Sequence, residues 1–222
     1  MFDGQLSVLF GQSKVAPYTT GGKTKRIFDL LIAATTLFVL FPLFVFVALL
    51  VKLSDHGPVI FRHVRVGQGG RKFACLKFRS MVPDSDKVLK ALLDSNPAAR
   101  LEWECTQKLV DDPRITAVGK FLRKSSLDEL PQLINVIRGD MSLVGPRPIV
   151  PSEVTRYGEK LGLYLQARPG ITGIWQVSGR NDCGYDKRIE MDANYVRNWR
   201  FSGDFVILLH TLGAVLARKG SY

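Results

Sequence analysis

Asp128 and Glu129 stand side by side in Ser125-Ser126-Leu127-Asp128-Glu129-Leu130-Pro131-Gln132-Leu133, with basic segments on either side. Adjacent carboxylates can act as a nucleophile, as a proton acceptor or as ligands of a hard cation. The chain carries 31 Lys and Arg against 20 Asp and Glu, a formal net charge of +11, so an isolated acidic pair is out of character. It is read as the reaction centre. A structural reading stands beside this one. Ser126 and Glu129 have the spacing of a capping box, and acids are favoured in the first turn of a helix. Pro131 separates the two. If Ser126 is the N-cap, the proline falls at the fifth helical position, where a backbone donor would be missed. If Pro131 opens the helix, the acids lie just before it, beside backbone N–H groups.

Cations surround the pair along the chain. In Gly139-Asp140-Met141-Ser142-Leu143-Val144-Gly145-Pro146-Arg147-Pro148 two prolines bracket Arg147 and stiffen its backbone. That suits recognition of a phosphate or diphosphate, although a surface turn with an incidental arginine would read the same. Val59–Phe61 and Phe73–Phe78 read as short strands joined through Gly67-Gln68-Gly69-Gly70. This unit holds Arg62, Arg65, Arg71, Lys72, Lys77 and Arg79 and no acid. A Gly-rich loop among arginines can present N–H groups and charge to phosphate, and a solvated basic face has the same composition.

The elements that must position these residues follow from the rest of the chain. At 222 residues it is one domain, or one domain with appendages, able to bury a core. A pI near 9.8 points to an anionic partner: nucleic acid, phosphate-bearing small molecules or an anionic membrane face. Cys75, Cys105 and Cys183 have no CxxC spacing, which excludes a disulfide framework or zinc site and predicts three free thiols. Met1 to Gly22 reads as a weakly ordered tail unlike a signal peptide. Leu30 to Val51 is uncharged and matches the roughly 20 residues that cross a bilayer. A straight span and a re-entrant hairpin both fit. Pro42, in the middle, predicts a kink, and Thr35 and Thr36 are available to freed backbone groups. Lys23, Lys25 and Arg26 precede the run and Lys52, Arg62 and Arg65 follow it, the pattern expected if both ends are cytoplasmic. Beyond the hairpin unit, helices are expected over Met81–Leu109 (split at Pro97), Leu133–Ile137, Ser152–Leu165, Tyr185–Trp199 and Asp204–Leu216. The last is apolar around most of its circumference, which fits either core packing or the membrane interface.

Read in order, the motifs form a series. Lys25-Arg26-x-x-Asp29, the proline-broken run, Gly57-Pro58-x-x-Phe61, Arg65-x-Gly67 and Lys77-Phe78-Arg79-Ser80-Met81 come first. Asp112-Pro113-Arg114-Ile115-Thr116, Ser126–Gln132, Gly139–Pro148 and Arg168-Pro169-Gly170-Ile171-Thr172-Gly173 follow. This series closely resembles the bacterial sugar transferase family, the monotopic polyprenyl-phosphate phosphoglycosyl transferases, from about Lys23 to Tyr222. The C-terminal half is most similar to members that initiate exopolysaccharides with galactose or glucose phosphate.

The resemblance implies transfer of sugar-1-phosphate from a UDP-sugar to undecaprenyl phosphate, with release of UMP and with Mg²⁺ as cofactor. It implies a fold that is mostly α with a small β-hairpin element: a tail over 1–22, a re-entrant membrane hairpin over 23–53, and a catalytic domain over 54–222 with interfacial amphipathic helices. That domain is expected on the cytoplasmic face of the bacterial inner membrane. On this reading Asp128 is the nucleophile, forming an acyl phosphate, and Glu129 is the Mg²⁺ ligand. Arg79, Arg114, Arg123 and Arg147 are expected to clamp the diphosphate, Lys25 and Arg26 to meet the lipid phosphate, and Pro42 to break the membrane helix. One position departs from the family pattern: Phe41 stands before Pro42, where many members carry a small hydroxyl residue. Nucleic acid is not an expected partner, and a homo-oligomer is left open. The alternatives are an inactive membrane-anchored scaffold and a basic nucleic-acid or lipid-binding module.

Overall fold

Proline placement and uncovered apolar surface define the first two elements. The computed structural model describes residues 19–106, 109–178 and 184–216, so residues 1–18 of the expected tail lie outside it. Helix α1 (Gly22–Val39) and helix α2 (Phe41–Asp55) meet at a bend of 64°. The break falls at Leu40 because Pro42, in the first turn of α2, has no N–H to continue the ladder backward. Leu40 N–H still reaches the Thr36 carbonyl at 2.9 Å, and Phe44 N–H reaches the Leu40 carbonyl at 2.8 Å. Among the described residues no single helix is long and apolar enough to cross a membrane, and this bent pair passes that test only together. Leu31, Phe38, Val39, Phe41, Phe46 and Leu53 are exposed. On the inner face, Val47 and Val51 pack with Phe78 and Leu122.

The expected hairpin forms. Strand β1 (Ile60–Val66) runs antiparallel to β2 (Lys72–Phe78), with Ile60 opposite Phe78 and Val66 opposite Lys72. The next helix begins later than the sequence suggests. Met81 bridges to Ile115 and Val82 N–H bonds the Arg114 carbonyl, so α3 spans Ser85–Ser95. Pro97 then opens α4 (Pro97–Thr106). Thr116 caps α5 (Ala117–Ser125), its Oγ1 accepting Gly119 N–H at 2.9 Å. A 3-10 turn over Leu127–Glu129 leads into α6 (Gln132–Arg138), which Gly139 ends at φ 91°, as expected for a glycine in that place.

Strand β3 (Ser142–Val144) pairs in parallel with β4 (Gly170–Thr172). A Cβ on Gly170 would lie 2.1 Å from the Gly145 nitrogen, so glycine permits this approach. The helix expected over Ser152–Leu165 is instead a 3-10 stretch, Pro151–Lys160, interrupted at Gly158 and followed by the short α7 (Leu161–Tyr164). Helices α8 (Ile174–Val177), α9 (Tyr185–Arg197) and α10 (Phe201–Leu216) complete the chain. Cys75 is a buried free thiol within the main core, with Val136, Met141 and Ile207. Cys183 and the side chain of Cys105 lie outside the described residues.

A buried polar network stitches α1 to the C-terminal helices. Lys25 Nζ donates to Asp204 Oδ2 at 2.6 Å and lies 3.9 Å from Asp29. Asp204 also accepts the Tyr195 hydroxyl at 2.7 Å and Trp199 Nε1 at 3.1 Å. Asp29 accepts the Ser142 hydroxyl at 2.7 Å, tying α1 to β3. Helix α10 divides accordingly: Asp204 and Ile207 face inward, while Phe205, Val206, Leu209 and Leu212 are exposed. Replacing Asp204 with alanine should strand the Lys25 ammonium and two donors, a loss of about 3–5 kcal/mol. Chemical denaturation in detergent measures it. A loss under about 1 kcal/mol would show the network to be incidental.

Candidate active site

The acidic pair is placed by a break between helices. Ser126 takes the left-handed conformation at φ 56°, ending α5, and its side chain caps nothing. The capping box is therefore absent: Glu129 N–H bonds the Ser126 backbone carbonyl at 3.2 Å, and Pro131 sits immediately before α6. The pair lies just ahead of the helix, the second of the two arrangements that the sequence allows. Asp128 is 9% exposed, and both acids line a cavity of 1070 Å³.

Lys77 faces both. Its Nζ donates to Glu129 Oε1 at 2.6 Å and lies 3.8 Å from Asp128 Oδ2. Cys75 and Lys77 occupy alternate positions of β2, Arg79 follows the same spacing just past its end, and all three line the cavity. Asn135 fixes this register. Its Oδ1 accepts Leu76 N–H at 2.9 Å and its Nδ2 donates to the Ala74 carbonyl at 2.8 Å. Burial pushes the Asp128 carboxyl above the ordinary aspartate range; Lys77 and Arg123 oppose this, while Glu129 adds to it.

The cations expected from the sequence divide into two groups. Arg79, Arg123 and Arg147 line the cavity with the pair. Arg123 Nε donates to Ser80 Oγ at 2.9 Å. Ser80 is held close to α5, because a Cβ on Gly119 would meet its carbonyl oxygen at 1.9 Å. Arg79 is ion-paired with Asp55, the last residue of α2. Arg147 is partly buried, with its guanidinium 5.1 Å from the Trp175 ring. Desolvation weakens the hold of both Arg123 and Arg147 on their protons.

Arg114, Lys25 and Arg26 do not line the cavity. Arg114 makes two bonds to the Asp112 carboxylate, at 2.8 and 2.6 Å, and stacks over Trp103. Lys25 belongs to the Asp204 network. Arg26 donates to the carbonyls of Val136 and Ile137, at 2.6 and 2.9 Å, at the end of α6. Lys77 is the site residue that sequence reading did not single out. Its signal was the alternation of Cys75, Lys77 and Arg79 along a strand already recognised as basic.

Among the described residues there is no cluster of three or more side chains able to hold a metal. The donor set is one or two carboxylates beside a large cavity. Such a set would fit a hard cation such as Mg²⁺ only where most of its ligands came from outside the protein, with Glu129 or Asp128 as the protein's share. Glu129, reached by Lys77, is the more open of the two acids.

Residues 20–218 match the family described as bacterial sugar transferase. The chain is 53% identical over 202 residues to the exopolysaccharide production protein ExoY of Sinorhizobium fredii, covering 91% of this chain and 89% of that protein. It is 54% identical over 198 residues to the undecaprenyl-phosphate galactose phosphotransferase of Salmonella typhimurium, covering 89% of this chain and 41% of that protein. Against the UDP-glucose:undecaprenyl-phosphate glucose-1-phosphate transferase of Escherichia coli it is 39% identical over 207 residues, again covering 89% of this chain and 41% of the relative.

The raised pKa of Asp128 has a consequence for stability. A carboxyl whose folded pKa lies above its unfolded value favours folding below the unfolded pKa, and that contribution is lost as pH rises through the folded one. Asp128→Asn should therefore unfold at a higher temperature than the native chain at neutral and alkaline pH. The difference should close as pH falls through the raised pKa. Thermal unfolding across a pH series reads this directly. A destabilised Asn variant at neutral pH would contradict it.

Proposed function

The chain belongs to the bacterial sugar transferase family, and on that premise we propose that it transfers a sugar-1-phosphate, galactose or glucose, from a UDP-sugar to undecaprenyl phosphate. UMP is released, and the reaction is the first membrane step of exopolysaccharide synthesis. The observation that carries this reading is the Asp128–Glu129 pair held against Lys77 in a cavity also lined by Arg79, Arg123 and Arg147. The printed activities of the Salmonella and Escherichia relatives support it, as does the exopolysaccharide role in the name of the Sinorhizobium relative.

Phosphoryl transfer asks for a nucleophile, neutralised charge and in-line positioning. In the proposed sequence an Asp128 oxygen attacks the sugar-bearing phosphorus. The bond from that phosphorus to the bridging oxygen breaks, and UMP departs with that oxygen and the bonding electrons. An acyl phosphate carrying the sugar remains on Asp128. An oxygen of undecaprenyl phosphate then attacks the same phosphorus, and the Asp128 carboxylate leaves. Lys77 opposes the effect of burial on the attacking carboxylate and offsets charge as the phosphates approach. Glu129 is the proposed ligand through which Mg²⁺, when bound, would screen the donor diphosphate. Arg79, Arg123 and Arg147 form the proposed clamp. Arg114, Lys25 and Arg26 are left out of it because each is committed to a protein partner away from the cavity.

The membrane seating is part of the proposal. The bent α1–α2 pair would enter and leave the same leaflet, with the catalytic residues on the cytoplasmic face. The exposed side chains around the bend and along α10 support it. Moving each large apolar side chain out of water is worth about 1.5–3 kcal/mol. Cysteines placed near residue 20 and near residue 55 should then be labelled from the same side of a sealed vesicle. Labelling from opposite sides would rule out the hairpin.

The chemistry is tested without lipid acceptor. Incubation with UDP-galactose or UDP-glucose and Mg²⁺ should add one hexose phosphate to Asp128 and release one equivalent of UMP, read by intact mass and peptide mapping. Asp128→Asn should remain unmodified. Lys77→Met should slow adduct formation by about 10²–10³-fold. Its rate should fall on the acid side at a higher pH than in the native chain, because Lys77 is the strongest of the groups that oppose the upward shift of Asp128. An unmodified native chain that still turns over when lipid is added would overturn the covalent route.

A further inference from the structure

Arg188, on α9, is 7% exposed, yet among the described residues the edge of its guanidinium formed by Nε and Nη2 has no hydrogen-bond partner. Its Nη1 approaches an acid only at a distance, Glu153 Oε1 at 3.7 Å. Glu153 is itself shared. Its Oε2 accepts Val150 N–H at 2.8 Å and lies 3.9 Å from Arg65. Asp192, one turn along α9, is occupied by the Tyr157 hydroxyl at 2.7 Å. The Nε–Nη2 edge is a face of arginine that binds a carboxylate or phosphate through two parallel bonds. Buried polar groups are overwhelmingly satisfied, so a buried and unmatched edge calls for a physical reason.

Trp175 stands between this group and the cavity. Its ring lies 5.4 Å from the Arg188 guanidinium and 5.1 Å from that of Arg147. Its Nε1 is also buried without a partner, so no hydrogen bond of its own fixes the ring. Trp175 and Arg147 both line the cavity that holds Asp128. Arg147 and the indole thus lie at the cavity, and the Arg188 guanidinium, which does not line it, lies 5.4 Å from the indole ring. All are donors and none has a lone pair to offer. What such a set matches is an anion with several acceptor oxygens.

We propose that Arg147, Trp175 and Arg188 form an anion subsite that holds the nucleotide-side phosphate of the donor and of the departing UMP. The assignment to a nucleotide rests on the reading of the protein as a UDP-sugar transferase. The donor carries two phosphates. If the sugar-bearing phosphorus must meet Asp128, the other needs its own donors. That phosphate also gains a negative charge as the bridging bond breaks and the oxygen leaves with it, so donors placed here favour departure as well as binding. The indole is the movable partition. Turning it aside exposes the Arg188 edge to the cavity and brings Nε1 within reach of a phosphate oxygen.

Calorimetry on the full chain in detergent tests this, with UMP, uridine and inorganic phosphate as probes. Arg188→Lys keeps the charge and removes the two-pronged edge. Trp175→Phe keeps a ring and removes only the N–H. UMP should bind about tenfold more weakly, or worse, to Arg188→Lys and several-fold more weakly to Trp175→Phe. Uridine affinity should be unchanged in both, and inorganic phosphate should compete with UMP in the native chain. Unchanged UMP affinity in both variants would overturn the subsite while leaving UDP-sugar turnover to stand. Arg188-dependent phosphate binding without any UMP binding would overturn the nucleotide assignment and the transferase reading together.

Discussion

The active-site geometry depends on one buried amide. Asn135 has no exposed surface, and both ends of its side chain are used against β2: Oδ1 takes Leu76 N–H, and Nδ2 reaches the Ala74 carbonyl and Asp140. Its backbone carbonyl accepts the N–H groups of Gly139, Asp140 and Met141 at 3.1, 3.0 and 3.2 Å. A neutral amide can offer a donor and an acceptor to one strand segment in only one orientation. Asn135 therefore sets the register of α6 against β2 and at the same time turns the chain toward β3. The acids precede α6 and Lys77 follows Leu76, so the contact between Lys77 and the pair is a consequence of that register. Neither aspartate nor leucine at this place could satisfy both backbone groups, and a buried unmatched group costs about 1–3 kcal/mol.

A second constraint links this site to the apolar surface. The Lys25–Asp204 pair is nearly inaccessible to water, and ion pairs in such places gain little net stability, because desolvation offsets attraction. What it supplies is position. Tyr195 and Trp199 donate to Asp204, and Asp29 lies beside Lys25 and accepts the Ser142 hydroxyl, so α1, β3, α9 and α10 share a single arrangement. Arg79 and Asp55 join the exit of α2 to the end of β2 in the same way. The exposed apolar faces of α1, α2 and α10 are thereby held at a fixed height relative to Asp128. On the proposed membrane seating, that height is what lets a lipid phosphate at the bilayer surface meet a carboxylate inside a protein cavity.

The parts of this arrangement that could be read from sequence are those whose cause is local. Pro42 foretold the break in the apolar run and Gly139 the end of α6, while Pro131 left two placements for the acids, of which the structure takes the one just ahead of α6. The β1–β2 hairpin followed from its strand residues and glycines. A strand was expected within Arg168–Arg180, but β3 and its parallel pairing with β4 could not be read, since three positions are too few to establish a period. The 3-10 stretch over Pro151–Lys160 resembled a helix until Gly158 interrupted it. Residue roles were hidden wherever the partner is distant: Lys25 is answered by Asp204, and Lys77 by Glu129. Arg114 is different. Its partner Asp112 is two residues away, so its commitment to a local pair was open to reading from Asp112-Pro113-Arg114 alone.

On the proposed function, that distinction between committed and uncommitted cations is how a strongly basic chain would bind phosphates selectively. Arg79 and Arg114 are each neutralised by a carboxylate in direct contact; Arg79 still lines the cavity and belongs to the proposed clamp, while Arg114 lies away from it and contributes to shape. Arg123 donates to the neutral Ser80 hydroxyl, Arg147 lies over an indole, and the Nε–Nη2 edge of Arg188 is unmatched. Desolvation without a direct counter-ion disfavours the charged form of Arg123 and Arg147, which makes this wall of the cavity unfavourable to stability. Asp128 carries the opposite charge under the same penalty. On the proposed function, a diphosphate entering between them would supply charge to the arginines and an electrophilic phosphorus to the carboxylate, relieving the first penalty as it makes use of the second. A site fully neutralised by its own ion pairs would be more stable and would have less binding energy to direct at the transition state.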